Sequence, residues 1–410
     1  MRWLRNAILS SGCITNVTLI AAMYFILAHI LISLCKATVV PSPNGTYAVG
    51  FTTTTLIDTT RIDPYDPDRG ARNVTVSLFY PLHRDQCNQI CATPYMPPRT
   101  AAYYSSVVST FGVSKNDTFE SFKIQYCCEP SLKALESVTE RSLVLFSAGL
   151  GGSRRIYTIL AQELASAGYA VATLDSTYGS VLVEYPDGTY VSGKDISYWC
   201  LEDPPGFCKP TANVPPLLET NVQDAQFVLD TLGNHPSDSF PIPGAERGFN
   251  VSRVVYAGHS FGGATAIRAS MLDDRIAGAV NLDGAQFGNI TDSHAAVLLF
   301  GRSDPSPHNK TDDVTWQDTW DHLKGWRREI GVRGTQHSTF GDMALLAKLD
   351  GWPITEKLQT LIGTLDGQRS FDLVLVYLMA FIEFALEGKN SDLFSGSSYL
   401  FPEVVVDPGV

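Results

Sequence analysis

Short apolar runs of strand length alternate along this chain with stretches whose apolar positions recur every three to four residues. Residues 73–82 (NVTVSLFYPL) alternate in the manner of a strand, and 142–147 (SLVLFS) is a nearly all-apolar run of the kind buried on both faces. Further runs at 169–174, 251–257, 276–282, 294–300 and 328–332 predict strands. Between them, 155–167, 218–232 and 261–271 carry helical periodicity, and 371–386 predicts a closing helix. Two segments break the rhythm. Residues 83–140 are irregular, aromatic and cysteine-bearing, and residues 176–217 are rich in Gly, Pro and aromatics; the first reads as an insertion, the second as a long loop or cap. Strands separated by helices predict an α/β fold with a mostly parallel central sheet covered on both faces. No linker stands out, so one elaborated domain over 38–410 is expected.

The first 37 residues follow another logic. Arg2 and Arg5 precede a mostly apolar, uncharged stretch from Val17 to Cys35, 19 residues long. As a helix this is roughly 28 Å, enough to span a hydrocarbon core. It reads either as a signal peptide, cut near Cys35-Lys36-Ala37, or as an uncleaved anchor. Both place the rest of the chain on the lumenal or extracellular side, because the positive charge lies on the N-terminal flank.

Seven N-x-S/T sequons agree with export. Asn16 lies in the leader; Asn44, Asn73, Asn116, Asn250, Asn289 and Asn309 are the expected glycosylation sites. Of the eight cysteines, Cys13 and Cys35 belong to the leader. The remaining Cys87, Cys91, Cys127, Cys128, Cys200 and Cys208 predict up to three disulfides in an exported chain. The expected pairing is Cys200 with Cys208, and the 87/91 pair with the 127/128 pair. A zinc site is the weaker reading, since vicinal cysteines have poor ligand spacing and no histidine lies nearby.

Thirty Lys and Arg against 42 Asp and Glu leave a net charge of −12. Without a basic footprint for phosphates, a nucleic-acid binder is excluded. A single apolar span likewise excludes a polytopic membrane protein.

The chemistry sits at the junction of the predicted strand 251–257 and helix 261–271. There the sequence reads Gly258-His259-Ser260-Phe261-Gly262-Gly263, a G-x-S-x-G with a strand before it and a helix after it. Such an elbow holds its serine in a strained backbone conformation, so the flanking residues must be small. A serine needs a base, and the base a carboxylate. In this architecture the chain order is Ser, acid, His. Four histidines follow Ser260. His294 opens an apolar strand, His308 reads as surface loop among Pro, Asn and Lys, and His322 falls in a Trp-rich helical pattern. His337 lies in the loop after the last strand, where the base belongs, and is assigned that role. His259 reads as packing of the elbow. Two aspartates compete for the acid: Asp283 after strand 276–282, and Asp304 after the next strand, where most hydrolases of this fold carry it.

The elbow through Thr265, Leu282-Asp283, and Arg333-Gly334 with His337 and Phe340 resemble the platelet-activating factor acetylhydrolase family, exported calcium-independent serine phospholipases with the α/β-hydrolase fold. The similarity extends to 146–151 and 224–232 and covers roughly 143–342, about half of the chain. It implies Asp283 as the acid, with Asp304 the alternative, and backbone N–H groups of Phe261 and Leu150 as oxyanion donors. The family usually carries a histidine before the glycine of the 149–152 loop; here the position is Ala148. The activity implied is release of a short sn-2 acyl group from ether phospholipids through an acyl-enzyme. Such a substrate would be met at a membrane or lipoprotein surface. A secreted lipase, general esterase or cutinase-like polyester hydrolase is the alternative. A silent binding protein on the same scaffold is disfavoured, since the serine, acid and histidine positions are all occupied. No metal or cofactor is expected: neither an H-E-x-x-H nor an EF-hand loop is present.

Overall fold

The computed structural model describes residues 37–113, 117–193, 200–202, 208–234, 242, 245 and 247–407. The apolar leader and Asn116 lie outside the described residues, as do the side chains of Cys200 and Cys208. The chain opens with β1 (Thr38–Val39) and an antiparallel pair, β2 (Ala48–Ile62) and β3 (Ala71–Leu82). β4 (Ile90–Pro94), helix α1 (Pro98–Thr110), β5 (Phe122–Cys127) and α2 (Leu132–Ser137) follow. The alternation then begins with β6 (Leu143–Ser147), α3 (Thr158–Ala167) and β7 (Ala170–Leu174). Two hairpins interrupt it: β8 (Leu182–Glu184) with β9 (Tyr190–Ser192), and β10 (Cys200–Glu202) with β11 (Cys208–Pro210). It resumes through α4 (Val214–Gly233), β12 (Val254–His259), α5 (Phe261–Ser270), β13 (Ile276–Leu282) and β14 (Ala296–Arg302). α6 (Val314–Trp320), β15 (Arg327–Val332), α7 (Met343–Leu349), α8 (Glu356–Ile362), α9 (Gly367–Glu387) and β16 (Val404–Asp407) complete the described chain.

Twelve strands form one sheet in the order β1-β5-β2-β3-β7-β6-β12-β13-β14-β15-β16, with β4 on the far side of β5. From β7 to β15 every neighbour is parallel. Successive residues of these strands feed opposite faces, as the period of two requires. Val144 and Phe146 of β6, with Val255 and Ala257 of β12, pack under α3, α7 and α9. Leu143 and Leu145, with Val254 and Tyr256, pack under α4 and α5. Both faces are therefore dry, which is why the strands read as apolar runs rather than alternating ones. The mostly parallel sheet with helices on both faces is the α/β-hydrolase arrangement expected from the sequence.

Three features depart from the sequence reading. The segment 83–140 is not irregular: it adds β4 and β5 to the sheet, where β5 pairs with β4 and, at its two ends, with β1 and β2. Cys87–Cys127 and Cys91–Cys128 cross-link this edge, as the expected pairing of the two cysteine pairs requires. The predicted helix at 218 starts four residues earlier, at Val214, because Pro215 and Pro216 fall in its first turn, where no N–H is needed. β16 lies antiparallel along β15 and closes the far edge.

Candidate active site

The C-terminal ends of β12 and β13 present Ser260 and Asp283 side by side: β12 and β13 are paired up to His259 and Leu282, and Ser260 N–H donates to the Leu282 carbonyl at 2.7 Å. Ser260 has φ 55° and ψ −122°, a conformation that costs a non-glycine residue about 1–3 kcal/mol. The neighbouring glycines make that turn possible. A Cβ on Gly258 would lie 2.2 Å from the Gly262 backbone, and one on Gly262 would lie 2.1 Å from the Ser147 carbonyl. Strand, turn and helix thus pack backbone against backbone, and α5 begins immediately after the serine.

Asp283 also has positive φ, 56°. Its turn is braced by the buried Asn281, whose amide bonds both the N–H and the carbonyl of Gly284, at 2.8 and 2.7 Å. The Asp283 carboxylate is fully buried. Its Oδ2 lies 2.6 Å from Nδ1 of His337, which comes from a 3₁₀ turn (His337–Phe340) after β15. That turn is pinned where Gln336 N–H donates to Thr339 Oγ1 (2.9 Å) and Thr339 donates to the Ile362 carbonyl (2.8 Å). With Nδ1 committed to a carboxylate, the imidazole keeps Nε2 as its basic nitrogen. The ring is half exposed.

Asp304, the alternative acid, does not take this place. It is exposed, and only its carbonyl reaches the histidine loop, accepting from Gly334 N–H. What comes back from the end of β14 is positive: Arg302 Nε lies 2.9 and 2.8 Å from the two Asp283 oxygens, and His308 Nδ1 lies 2.7 Å from Oδ1. His308 is therefore not the surface residue its sequence surroundings predict. It is buried, bonded on its far side to Asp313 (2.8 Å), and stacked on Trp316. Burial opposes ionisation of Asp283, yet the bonds from His308 and His337 hold its pKa well below the ordinary carboxylate range. Of the other histidines, His294 is exposed and His322 pairs at the surface with Asp292.

His259 does more than fill the elbow. Its Nε2 donates to the His337 carbonyl at 2.8 Å, and its Nδ1 accepts from the Tyr157 hydroxyl at 2.7 Å. Tyr157 is in turn bonded by the Gly149 backbone. Burial, reinforced by the nearby His337, pushes the His259 pKa down to about 3, so it is a neutral bridge. Gly149 packs directly on the nucleophile: a Cβ there would sit 3.0 Å from the Ser260 Cβ. Among the described residues, the N–H groups of Leu150 and Phe261 have no hydrogen-bond partner. Ala148 is buried and lines a small cavity with Asn221 and Asp224.

Nothing in the local sequence marked His308 or Arg302 as neighbours of Asp283, or Asp313 as the second partner of His308.

A serine elbow at the end of a central parallel strand, with a histidine held by a buried carboxylate on the adjacent strand, defines an α/β-hydrolase. The chain belongs to the platelet-activating factor acetylhydrolase, isoform II, family, whose model matches residues 32–186 and 238–396. It is 26% identical over 399 residues to a probable 1-alkyl-2-acetylglycerophosphocholine esterase of Arthroderma benhamiae, covering 91% of this chain and 95% of the relative. The platelet-activating factor acetylhydrolase of Cavia porcellus is 24% identical over 375 residues, covering 87% and 80%. Among solved structures, a ferulic acid esterase from Streptomyces cinnamoneus superposes with a TM-score of 0.68 at 28% identity, covering 90% of this chain and 99% of that one.

Proposed function

We propose that this protein is a serine carboxylester hydrolase that releases a short sn-2 acyl group from ether phospholipids by a two-step acyl transfer. His337 Nε2 takes the Ser260 proton as Oγ attacks the ester carbonyl. Asp283 holds the imidazole in the tautomer this needs and stabilises its cationic form. The Phe261 and Leu150 N–H groups receive the oxyanion, each such donor being worth roughly 3–4 kcal/mol. The same imidazole then returns its proton to the leaving alcohol. Water, activated by His337 in turn, releases the acyl group and restores the serine.

The observation that carries this reading is the 2.6 Å bond between Asp283 and His337, beside a serine in an elbow conformation. The substrate class is supported by the family and by the printed names of the relatives. Export of the domain is supported by the two disulfides and by the exposure of Asn44, Asn250 and Asn289. Asn73 and Asn309 are only partly exposed, and Asn309 is engaged by Asp312.

The ferulic acid esterase neighbour favours a second reading, an esterase for other acyl esters on the same machinery. Acetylated ether phospholipids, long-chain phospholipids, nitrophenyl esters and feruloyl esters offered side by side separate the two. The phospholipid reading fails if only the aryl or feruloyl esters turn over. Ser260→Ala is expected to lower every such activity by about 10⁴-fold or more while the protein still folds. Unchanged hydrolysis in that variant overturns both readings.

A further inference from the structure

Asp283 carries two histidines, His337 on Oδ2 and His308 on Oδ1. We propose that His308 is a positioning residue for the triad acid: a cationic imidazole clamped between Asp283 and Asp313 which, with Arg302, fixes the carboxylate that orients His337. The inference rests on the reading of Asp283 as that acid.

The donor count carries it. An ionised carboxylate offers about four lone-pair directions. Around Asp283 three donors converge on them: His337 Nδ1 at 2.6 Å, His308 Nδ1 at 2.7 Å, and the single Arg302 Nε–H shared between the two oxygens, with Nε at 2.9 and 2.8 Å. His308 uses both ring nitrogens on carboxylates, since Nε2 lies 2.8 Å from Asp313 Oδ2. A neutral imidazole has one N–H and would turn a lone pair toward one of the two acids; only the imidazolium serves both. The charged groups facing the ring are Asp283 from the turn after β13, Asp313 from the start of α6, and Arg302 from β14. His337 stands beyond Asp283 on the histidine loop.

The ring cannot easily leave. His308 N–H donates to the Arg302 carbonyl at 3.1 Å, the ring stacks on Trp316 at 4.4 Å, and Trp316 donates to the Gly284 carbonyl at 2.6 Å. Burial alone would make this histidine less basic, but the bonds to Asp283 and Asp313 outweigh it and raise its pKa to about 9. The folded value thus lies above the ordinary one, so the clamp is whole at neutral pH. It is lost as the pH rises through about 9. The neutral ring keeps one N–H for two acids, so Asp283 Oδ1 shares that donor with Asp313 and holds His337 less firmly, with Arg302 as its remaining fixed partner.

The test is the pH dependence of kcat for nitrophenyl acetate between about pH 5 and 10, in the wild type, His308→Asn and His308→Gln. Asn places a donor near the Nδ1 position and does not titrate; Gln reaches toward Asp313 and leaves Asp283 short of a donor. Wild type should lose kcat along an alkaline limb centred near pH 9. His308→Asn should lack that limb. His308→Gln should lower kcat about 10- to 100-fold at neutral pH with KM nearly unchanged. Thermal melts confirm that each variant is folded. An alkaline limb that persists in His308→Asn, or a full kcat in His308→Gln, overturns the proposal. Asp283→Ala separates the two levels of the argument. If that variant is inactive while the limb persists in His308→Asn, only the role of His308 falls; if it stays active, the triad reading itself falls.

Discussion

His259 Nε2 donates to the main-chain oxygen of His337 at 2.8 Å, so the residue that precedes the nucleophile in sequence holds the loop that carries the base. Through Tyr157 the same ring is joined to Gly149, the residue before Leu150. The elbow, the histidine loop and the 149–152 loop are therefore connected by one short chain of hydrogen bonds.

Breaking that chain should weaken catalysis without touching the triad side chains. His259→Leu takes the His259 donor from the His337 carbonyl and the acceptor from the Tyr157 hydroxyl, at a cost of about 1–3 kcal/mol. A drop in kcat of roughly tenfold or more is expected. His259→Gln, which keeps a donor near the Nε2 position, should recover most of it. Equal rates in the Leu and Gln variants would mean that the ring acts by packing alone.

The two aspartates should differ sharply. Asp283→Asn is expected to lower kcat about 10⁴-fold, because an amide there no longer selects the imidazole tautomer with a basic Nε2. Asp304→Asn, on an exposed loop, should stay within roughly a factor of three. Steady-state rates on one nitrophenyl ester decide between them, and the reverse pattern would make Asp304 the acid.

Stability should have an alkaline edge. His308 has a folded pKa of about 9 against an ordinary value of 6.5. Its contribution is therefore complete below pH 6.5 and disappears as the pH rises through about 9. A shift of this size corresponds to stability on the order of 3 kcal/mol. Thermal unfolding followed from pH 6 to about 10 should show the wild-type midpoint falling, and the fall should be smaller in His308→Asn. Parallel curves would place the edge elsewhere.

A second buried charge cluster anchors β3 to α4. Arg72 on β3 bonds Asp63 at 2.8 Å, Asp224 on α4 at 2.6 Å and the Thr177 carbonyl at 3.0 Å, and is almost wholly buried. Arg72→Met removes the cation from between two buried carboxylates and leaves Asp224 with Arg61 alone. A loss of about 3–5 kcal/mol is expected in denaturant unfolding. A variant as stable as the parent would show that the acids find other partners.

Much of the architecture was legible in the chain. The apolar runs of β6, β7 and β12–β15 are unmistakable because both faces of a parallel sheet are dry, and G-x-S-x-G marks the elbow because the backbone there leaves no room for a Cβ. The edge strands escaped notice for the opposite reason. β2 carries a run of threonines half open to solvent, and β4 and β5 lie among cysteines and aromatics, so neither pattern has a clean period. His308 reads as surface because its neighbours Pro307, Asn309 and Lys310 are typical of exposed turns, while the ring itself turns inward against Trp316.

By itself the sequence determined the local and periodic features: a parallel sheet with its helices, the strained turn at Ser260, the order of serine, acid and histidine, and the cysteine pairs that meet. These depend on residues close together or on a repeat that survives without coordinates. Only the tertiary structure decided that Asp283 rather than Asp304 meets His337, that Arg302 and His308 hold that carboxylate from behind, and that His259 bridges two loops. Each of those outcomes is a contact between strand ends and loops tens of residues apart. The sheet register sets it to within an ångström, and no periodicity along the chain encodes a distance across it.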